Sequence, residues 1–140
     1  MESKGHLPSI GLEIYKNLTL GDVERRKYRP SDRIFNEGDD AKGEAYVVHA
    51  GAVEIKKRFE DSERILAKLA EGDLFGEMAL FRKAARSASA VAATETEVLV
   101  LKYQRLEWLI RNRPEVTMEM LKRLSELVVA TDQDRPPSPK

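Results

Sequence analysis

Between residues 75 and 89 the chain reads Phe75-Gly76-Glu77-Met78-Ala79-Leu80-Phe81-Arg82-Lys83-Ala84-Ala85-Arg86-Ser87-Ala88-Ser89. We predict that a helix begins near Gly76, and the free amides of a first helical turn favour an anion. Arg86 supplies a planar fork of donors that matches two phosphate oxygens, and Ser87 adds a hydroxyl. Glu77 would repel a bare phosphate, so its position favours a nucleotide, whose sugar hydroxyls can donate to a carboxylate.

The composition argues against several classes of function. The 24 acidic and 24 basic residues leave no net charge to attract nucleic acid or an anionic membrane. With no cysteine and two histidines, the chain offers no disulfide, no thiolate nucleophile and no cysteine-based or histidine-rich metal site. No apolar run approaches the roughly twenty residues that span a bilayer, and the first residues lack the apolar core of a signal peptide. We therefore expect a cytoplasmic protein with no membrane span and no nucleic-acid partner.

Short apolar and β-branched runs separated by turn residues predict an antiparallel sandwich or roll. The predicted strands cover residues 22–28, 34–35, 45–50, 52–59, 65–69, 88–93 and 98–101. The two runs on either side of Gly51 predict a hairpin-like pair. Its predicted core side chains are Tyr46, Val48, Val53 and Ile55.

The two ends of the chain differ from this strand pattern. Residues 1–20 form an N-terminal segment with at most a short helix, because glycine and proline interrupt its apolar positions. Residues 131–140 contain three prolines and predict a disordered tail. Residues 21–130 are then the folded domain.

Two helices are predicted before the tail. Apolar residues at i, i+3 and i+4 predict a helix over residues 103–111, with Trp108 as a packing residue. Pro114 suits the first position of the next helix, whose apolar spacing continues to about Ala130.

The order Phe75-Gly76-Glu77, apolar residues, a variable loop and Arg86-Ser87-Ala88 closely resembles the phosphate-binding cassette of the cyclic nucleotide-binding domain family. Upstream, residues 35–40 and 45–55 resemble the family's strand-turn-strand pattern, so the resemblance covers most of residues 33–102. It implies a mainly β fold with flanking α: an antiparallel, jelly-roll-like β-roll with a short phosphate-binding helix and two C-terminal helices.

The resemblance also implies a role for each site residue. The ligand is a 3′,5′-cyclic nucleotide, cAMP or cGMP, and no cofactor or metal is expected. Arg86 pairs with the cyclic phosphate, supported by Ser87 and nearby main-chain amides, while Glu77 accepts from the ribose 2′-hydroxyl. The purine rests on apolar strand residues, for which Ala67 and Leu69 are the candidates, and Arg123 or Leu127 caps it from the last helix. The full expected set is Phe75, Gly76, Glu77, Met78, Ala79, Arg86, Ser87, Ala88, Ala67, Leu69, Arg123 and Leu127.

Two positions depart from the commonest family pattern and bear on ligand choice. Ala85 stands where many members have proline, which leaves the loop freer. Ser87 stands where threonine often accompanies cGMP binding and alanine is common in cAMP binders. Because serine also occurs in the bacterial regulators that bind cAMP, we expect cAMP to be favoured over cGMP.

The expected function is that of a non-catalytic regulatory module whose output passes through a homodimer or an unknown effector protein. We expect Arg86→Leu to weaken nucleotide binding at least a hundredfold and to leave the fold intact. Two alternatives stay open: a degenerate family member that acts as a protein-interaction module without nucleotide, and a transcription-regulator-like protein that lacks its DNA-binding domain. A metal-dependent enzyme on a similar roll is disfavoured, because the sequence has no His-x-His motif.

Overall fold

The computed structural model describes residues 8–122 and residue 125. Its helices and strands follow one another as α1 (Leu12–Leu20), β1 (Arg25–Tyr28), β2 (Arg33–Phe35), β3 (Glu44–Ala50), β4 (Val53–Phe59), β5 (Ser62–Leu69), β6 (Leu74–Phe75), α2 (Glu77–Arg82), β7 (Ser89–Ala92), β8 (Thr96–Lys102) and α3 (Tyr103–Asn112). A further helical segment, which we call the C-terminal stretch, covers residues 114–122.

Within the described residues the eight strands form two four-stranded antiparallel sheets. The first has the order β1-β8-β3-β6 and the second the order β2-β7-β4-β5. β1 stands at an edge and pairs with β8, which agrees with the polar, basic sequence of this strand. The predicted mainly β fold with flanking helices is confirmed.

Side chains of the first sheet alternate between two hydrophobic clusters because successive residues of a strand point to opposite faces. On β3, Ala45 and Val47 belong to a helix-side cluster with α1 and α3, while Tyr46 and Val48 belong to an inter-sheet cluster. The inter-sheet cluster comprises Tyr46, Val48, Val53, Leu69, Phe75, Ala90, Val98 and Val100, with Tyr28, Ile34, Phe35, Ile55 and Ala67 packed against it. The molecule therefore has three layers: helices, first sheet and second sheet.

The predicted hairpin across Gly51 is wrong, because its two strands belong to different sheets. β3 pairs with β8 and β6, whereas β4 pairs with β5 and β7. Gly51 has φ 90° and lies against the turn that enters β8, so the chain changes sheet at this glycine. Both strands are nevertheless strands, and three of the four predicted core side chains, Tyr46, Val48 and Val53, are fully buried or nearly so.

The helices cover one face of the first sheet. α1 is nine residues long, longer than the sequence indicated, and buries Ile14, Tyr15 and Leu18. α3 matches the predicted helix, but Trp108 is 53% exposed, so its expected packing role is wrong. Leu106 and Leu109 form the buried face instead, and Trp108 lies about 200° around the helix from Leu106.

The C-terminal stretch contributes Val116 and Met120 to the helix-side cluster. The predicted continuation of this helix to residue 130 and the predicted tail at 131–140 lie outside the described residues. Among the helices that are described, none combines the length and apolarity needed to cross a membrane.

Candidate functional site

Gly76 connects β6 to α2 in a conformation that suits glycine. Its φ of 81° and ψ of 3° are left-handed, where a Cβ is strained. A Cβ here would lie 3.0 Å from Nη1 of Arg86 and 3.3 Å from the rings of Phe35 and Tyr46. The glycine therefore brings the start of α2 against the arginine and two aromatic rings.

Arg86 lies inside the molecule, with only 4% of its surface exposed. Its Nη1 donates to the Gly76 carbonyl at 2.6 Å, and its Nη2 donates to the carbonyls of Ala41 at 3.1 Å and Glu44 at 2.8 Å. Its Nε is buried and has no hydrogen-bond partner among the described residues. No carboxylate of the described residues lies within ion-pair distance of the guanidinium. Burial lowers the pKa of Arg86 below its usual value.

Aromatic rings complete the surroundings of this guanidinium. Its central carbon lies 4.1 Å from the ring centre of Phe35 and 5.6 Å from that of Tyr46, distances typical of cation–π contacts. The rings of Tyr46 and Phe75 are 5.4 Å apart, and all three rings contribute to the inter-sheet cluster. Arg86 thus adjoins the same apolar interior as the two predicted base contacts, Ala67 and Leu69 of β5.

The backbone of Arg86 is held as firmly as its side chain. Its amide donates to the Asp39 carbonyl at 2.8 Å, and its own carbonyl accepts from the Gly38 amide at 2.8 Å. These bonds join the end of the cassette to the turn that follows β2. The turn therefore determines where the arginine enters the interior.

Glu44 forms a second charged cluster directly beside Arg86. Its carboxylate accepts from Arg26 at 2.9 and 3.1 Å, from Lys102 at 3.0 Å and from the Tyr46 hydroxyl at 2.9 Å. Burial alone would raise the pKa of this carboxyl, but these donors outweigh it and lower the pKa to about 2. The carboxylate of Glu44 is thus held by Arg26, Lys102 and Tyr46, while its main-chain carbonyl accepts from Arg86.

The other predicted residues fall into three groups. Glu77 and Ala79 are buried, and Met78 and Ala88 are partly buried. Ser87 is exposed, and its carbonyl accepts from Nζ of Lys57 at 2.8 Å. Arg123 and Leu127, the predicted base caps, lie outside the described residues.

Sequence reasoning missed the groups that surround Arg86: the ring of Phe35 and the carbonyls of Ala41 and Glu44. These residues lie more than forty positions before the arginine, so no local spacing connects them to it. The resemblance to the family at residues 35–40 indicated that this region belongs to the same domain, but it did not predict a contact with Arg86.

An open cleft of about 730 Å³ lies beside the cassette and is lined in part by Ala79 and Ala84. Its lining among the described residues does not include Gly76, Glu77 or Arg86. The same described ranges contain no group of three acidic or histidine side chains placed to hold a metal ion. A buried guanidinium beside an apolar interior is an arrangement that can receive an anion.

Comparison with known proteins gives consistent matches. A family model described as the cyclic nucleotide-binding domain matches residues 25–113. The cyclic AMP receptor protein of Thermus thermophilus is 42% identical over 100 residues, covering 70% of this chain and 45% of that protein. The cAMP-dependent protein kinase regulatory subunit of Mycosarcoma maydis is 32% identical over 75 residues, covering 54% of this chain and 14% of that protein.

A solved structure shares the fold as well. The crystal structure of the Thermus thermophilus catabolite activator protein has a TM-score of 0.72 and 35% sequence identity, and the match covers 86% of this chain and 57% of that one. The chain spans about half the length, or less, of the curated relatives named above. The matched residues contain the glycine turn, the buried arginine and both sheets, and on these grounds the chain belongs to the cyclic nucleotide-binding domain family.

Proposed function

We propose that this protein is a non-catalytic regulatory module that binds a 3′,5′-cyclic nucleotide and prefers cAMP to cGMP. The observation that carries the proposal is the Arg86 guanidinium, which is buried at the start of α2 with an unpartnered Nε. Neutral carbonyls and two aromatic rings contact this buried cation, and no carboxylate of the described residues lies within ion-pair distance of it. A phosphate anion would offset the cost of burying its charge.

The neighbouring groups suit the rest of such a ligand. Glu77 begins α2 and takes the ribose 2′-hydroxyl, while Ser87 and the amides from Gly76 to Ala79 assist Arg86 at the phosphate. Phe75, Met78 and Ala88 shape the same region of the cassette. Ala67 and Leu69 lie on β5 in the inter-sheet cluster, where an apolar purine face is favourable. Arg123 or Leu127 caps the base from the end of the chain.

Binding of the phosphate requires Arg86 to exchange some of its protein partners. The carbonyls of Ala41, Glu44 and Gly76 hold three of its donor bonds in this structure. A hydrogen bond between a guanidinium and a phosphate anion is stronger than one to a neutral carbonyl, so a phosphate can replace one or more of these carbonyls. The three bonds also mean that the side chain supports the fold, so we now expect its removal to lower stability as well as affinity.

The preference for cAMP has two supports. Ser87 occupies the position at which serine also occurs in bacterial regulators of the family that bind cAMP. The two relatives named above include cyclic AMP or cAMP in their names. Both are named as a receptor or as a regulatory subunit, which also favours a binding role over catalysis.

Calorimetric titration with cAMP and cGMP in parallel tests the site and ranks the two bases. We expect cAMP to bind more tightly, and Arg86→Leu to weaken binding at least a hundredfold, which corresponds to about 2.7 kcal/mol. Arg82→Leu is the matched control, because Arg82 is an exposed arginine of the same cassette.

Thermal unfolding of each variant separates lost affinity from lost structure. Arg86→Lys, which keeps a cation but loses the planar fork, should fold and still bind weakly. Unchanged cAMP affinity in a folded Arg86→Leu or Arg86→Lys variant would refute the assignment. If the wild-type chain binds neither nucleotide, the alternative of an interaction module without nucleotide is favoured.

We further propose that residues 21–130 are the binding unit and that ligand favours docking of the last helix. If the base contacts the last helix only when that helix is docked, ligand shifts it towards docking. Hydrogen exchange in residues 115–130 should then slow when cAMP is added. Hydrogen-exchange rates in residues 115–130 that are the same with and without cAMP would exclude this response.

A second candidate is a role in transcription, which the likeness to the catabolite activator protein favours. The net charge of zero gives this chain no overall attraction to DNA. An electrophoretic shift with double-stranded DNA that weakens as salt rises would support this candidate.

A further inference from the structure

The cleft beside the cassette has an apolar floor formed by three separate segments. Its lining combines Ala41 from the turn before β3, Leu80 from α2, Ala84 from the loop after α2 and Tyr103 at the start of α3. Its volume of about 730 Å³ falls within the usual range of binding clefts. Gly76, Glu77 and Arg86 are not among its described lining residues, whereas Ala79 is, so the cleft adjoins the proposed nucleotide site and extends away from its arginine.

The rim of this cleft carries exposed positive charge. Lys42 and Lys83 line it from two different segments, and Arg82 is exposed next to Lys83. None of these three cations has an ion-pair partner within the described residues. By contrast, Arg26 and Lys102 share the carboxylate of Glu44. Of the lining residues that the structure describes, Asp40 is the one that carries a carboxylate.

The rim lysines also have unusual backbones. Lys42 has φ 58° and Lys83 has φ 52°, the left-handed region that disfavours side chains with a Cβ. Glycine would fit both positions with less strain, yet each carries a long cationic side chain. The two lysines therefore combine a backbone cost with an unpaired charge at the mouth of an apolar cleft.

We propose that this cleft docks a segment of a partner protein in which apolar side chains are flanked by carboxylates. The apolar side chains fill the space over Leu80, Ala84 and Tyr103, and the carboxylates pair with Lys42 and Lys83. Cations on two walls fit a segment with acidic residues at both ends of its apolar part. The proposal goes beyond nucleotide binding and does not depend on it.

Selection from a displayed library of random twelve-residue peptides on the immobilised full chain tests this assignment. The enriched peptides should combine leucine or aromatic residues with aspartate or glutamate. One enriched peptide is then labelled with fluorescein, and its binding to the full chain is measured by anisotropy. Its counterpart with lysine in place of every acidic residue should bind at least tenfold more weakly.

Charge-reversal variants locate the binding. The double variant Lys42→Glu, Lys83→Glu should weaken the acidic peptide at least tenfold. The matched control is Lys16→Glu, Lys27→Glu, which makes the same charge change at two exposed lysines on α1 and β1 and should leave affinity within twofold. Ala84→Trp fills the cleft without changing its charge, so it should also abolish binding. Thermal unfolding confirms that each variant is folded.

Several outcomes overturn the proposal. Failure to enrich any peptide, enrichment of peptides without acidic residues, or equal losses in the two double variants would each exclude it. Binding of dodecanoate with no binding of peptide would assign the cleft to a fatty anion. Self-association of the chain that only the Lys42→Glu, Lys83→Glu variant abolishes would assign it to a second copy.

Discussion

Arg86 illustrates how one side chain can serve both the fold and a ligand. Two of its three bonds to carbonyls connect the cassette to Ala41 and Glu44, some forty positions earlier in the chain, and the third is to Gly76 within the cassette. Its buried Nε, which has no hydrogen-bond partner among the described residues, makes the same side chain the candidate receptor for an anion. The carbonyls fix the position of the guanidinium, and a bound phosphate would replace one or more of them as its hydrogen-bond acceptor.

Glu44 provides a pH-dependent contribution to stability. Its folded pKa of about 2 lies below the usual value of 4.5, so the carboxylate stabilises the fold fully above about pH 4.5 and loses this effect as the pH falls towards 2. We predict that Glu44→Gln loses about 2–3 kcal/mol of unfolding free energy at pH 7. Urea unfolding between pH 7 and pH 2 should show the difference from wild type shrinking below pH 4.5.

Glu63→Gln is the control for this experiment. Glu63 pairs with Arg33 at 3.0 Å on the surface, where solvent screens the pair, so its loss should change stability far less. A Glu44→Gln deficit that stays constant down to pH 2 would contradict the assigned titration.

At the scale of single elements, the corner at Gly51 separates the two sheets. A Cβ at this position would overlap the carbonyl oxygen of Glu95 and lie 2.8 Å from Cα of Thr96. We predict that Gly51→Ala costs about 2–4 kcal/mol, because the backbone strain adds to a clash with main-chain atoms. Chemical denaturation measures the loss.

Gly38→Ala is the matched control, since Gly38 has a similar φ of 93° but open space where its Cβ would lie. Gly38→Ala should lower the free energy of unfolding only through backbone strain, by about 1–2 kcal/mol. Equal losses at the two glycines would show that steric overlap at the corner is not the cause.

The attachment of α1 depends on a polar contact as well as on its buried apolar residues. The Tyr15 hydroxyl donates to Glu71 at 2.9 Å and lies 3.1 Å from Nδ1 of His49. We predict that Tyr15→Phe lowers stability by about 1–2 kcal/mol and speeds amide exchange in α1 more than in the sheets. Native-state hydrogen exchange measures both effects.

Tyr28→Phe offers the comparison for this prediction. Tyr28 is also partly buried, but its hydroxyl has no hydrogen bond among the described residues. It should leave both stability and α1 exchange close to wild type. Uniformly faster exchange throughout Tyr15→Phe would indicate global destabilisation and not a local attachment of α1.

At the scale of the whole molecule, ligand binding should raise the unfolding temperature. Ligand at a hundred times its dissociation constant stabilises a folded state by about 2.7 kcal/mol, which corresponds to roughly 5–10 °C for a domain of this size. We predict such a shift with cAMP in differential scanning calorimetry. Linear 5′-AMP, which lacks the cyclic diester, should shift it much less, and equal shifts would argue against recognition of the cyclic phosphate.

Local patterns in the sequence were sufficient to predict which segments form strands and which form helices. The β-rich runs at residues 45–50 and 52–59 predicted strands, and the i, i+3, i+4 spacing after Tyr103 predicted α3, because strand propensity and helical period are properties of the local chain. The order from Phe75 to Ala88 was also enough to indicate the family, since it is a contiguous run of residue types.

The sequence by itself thus determined the strand-rich fold, the helix α3 and the family. Only the tertiary structure decided that β3 and β4 join different sheets, that Trp108 stays exposed, and that Arg86 meets Phe35, Ala41 and Glu44. The physical reason is that a strand or helix period is set by neighbours in the chain. Sheet partners, buried charges and clefts depend instead on which distant segments pack together, and those contacts form only in the folded molecule.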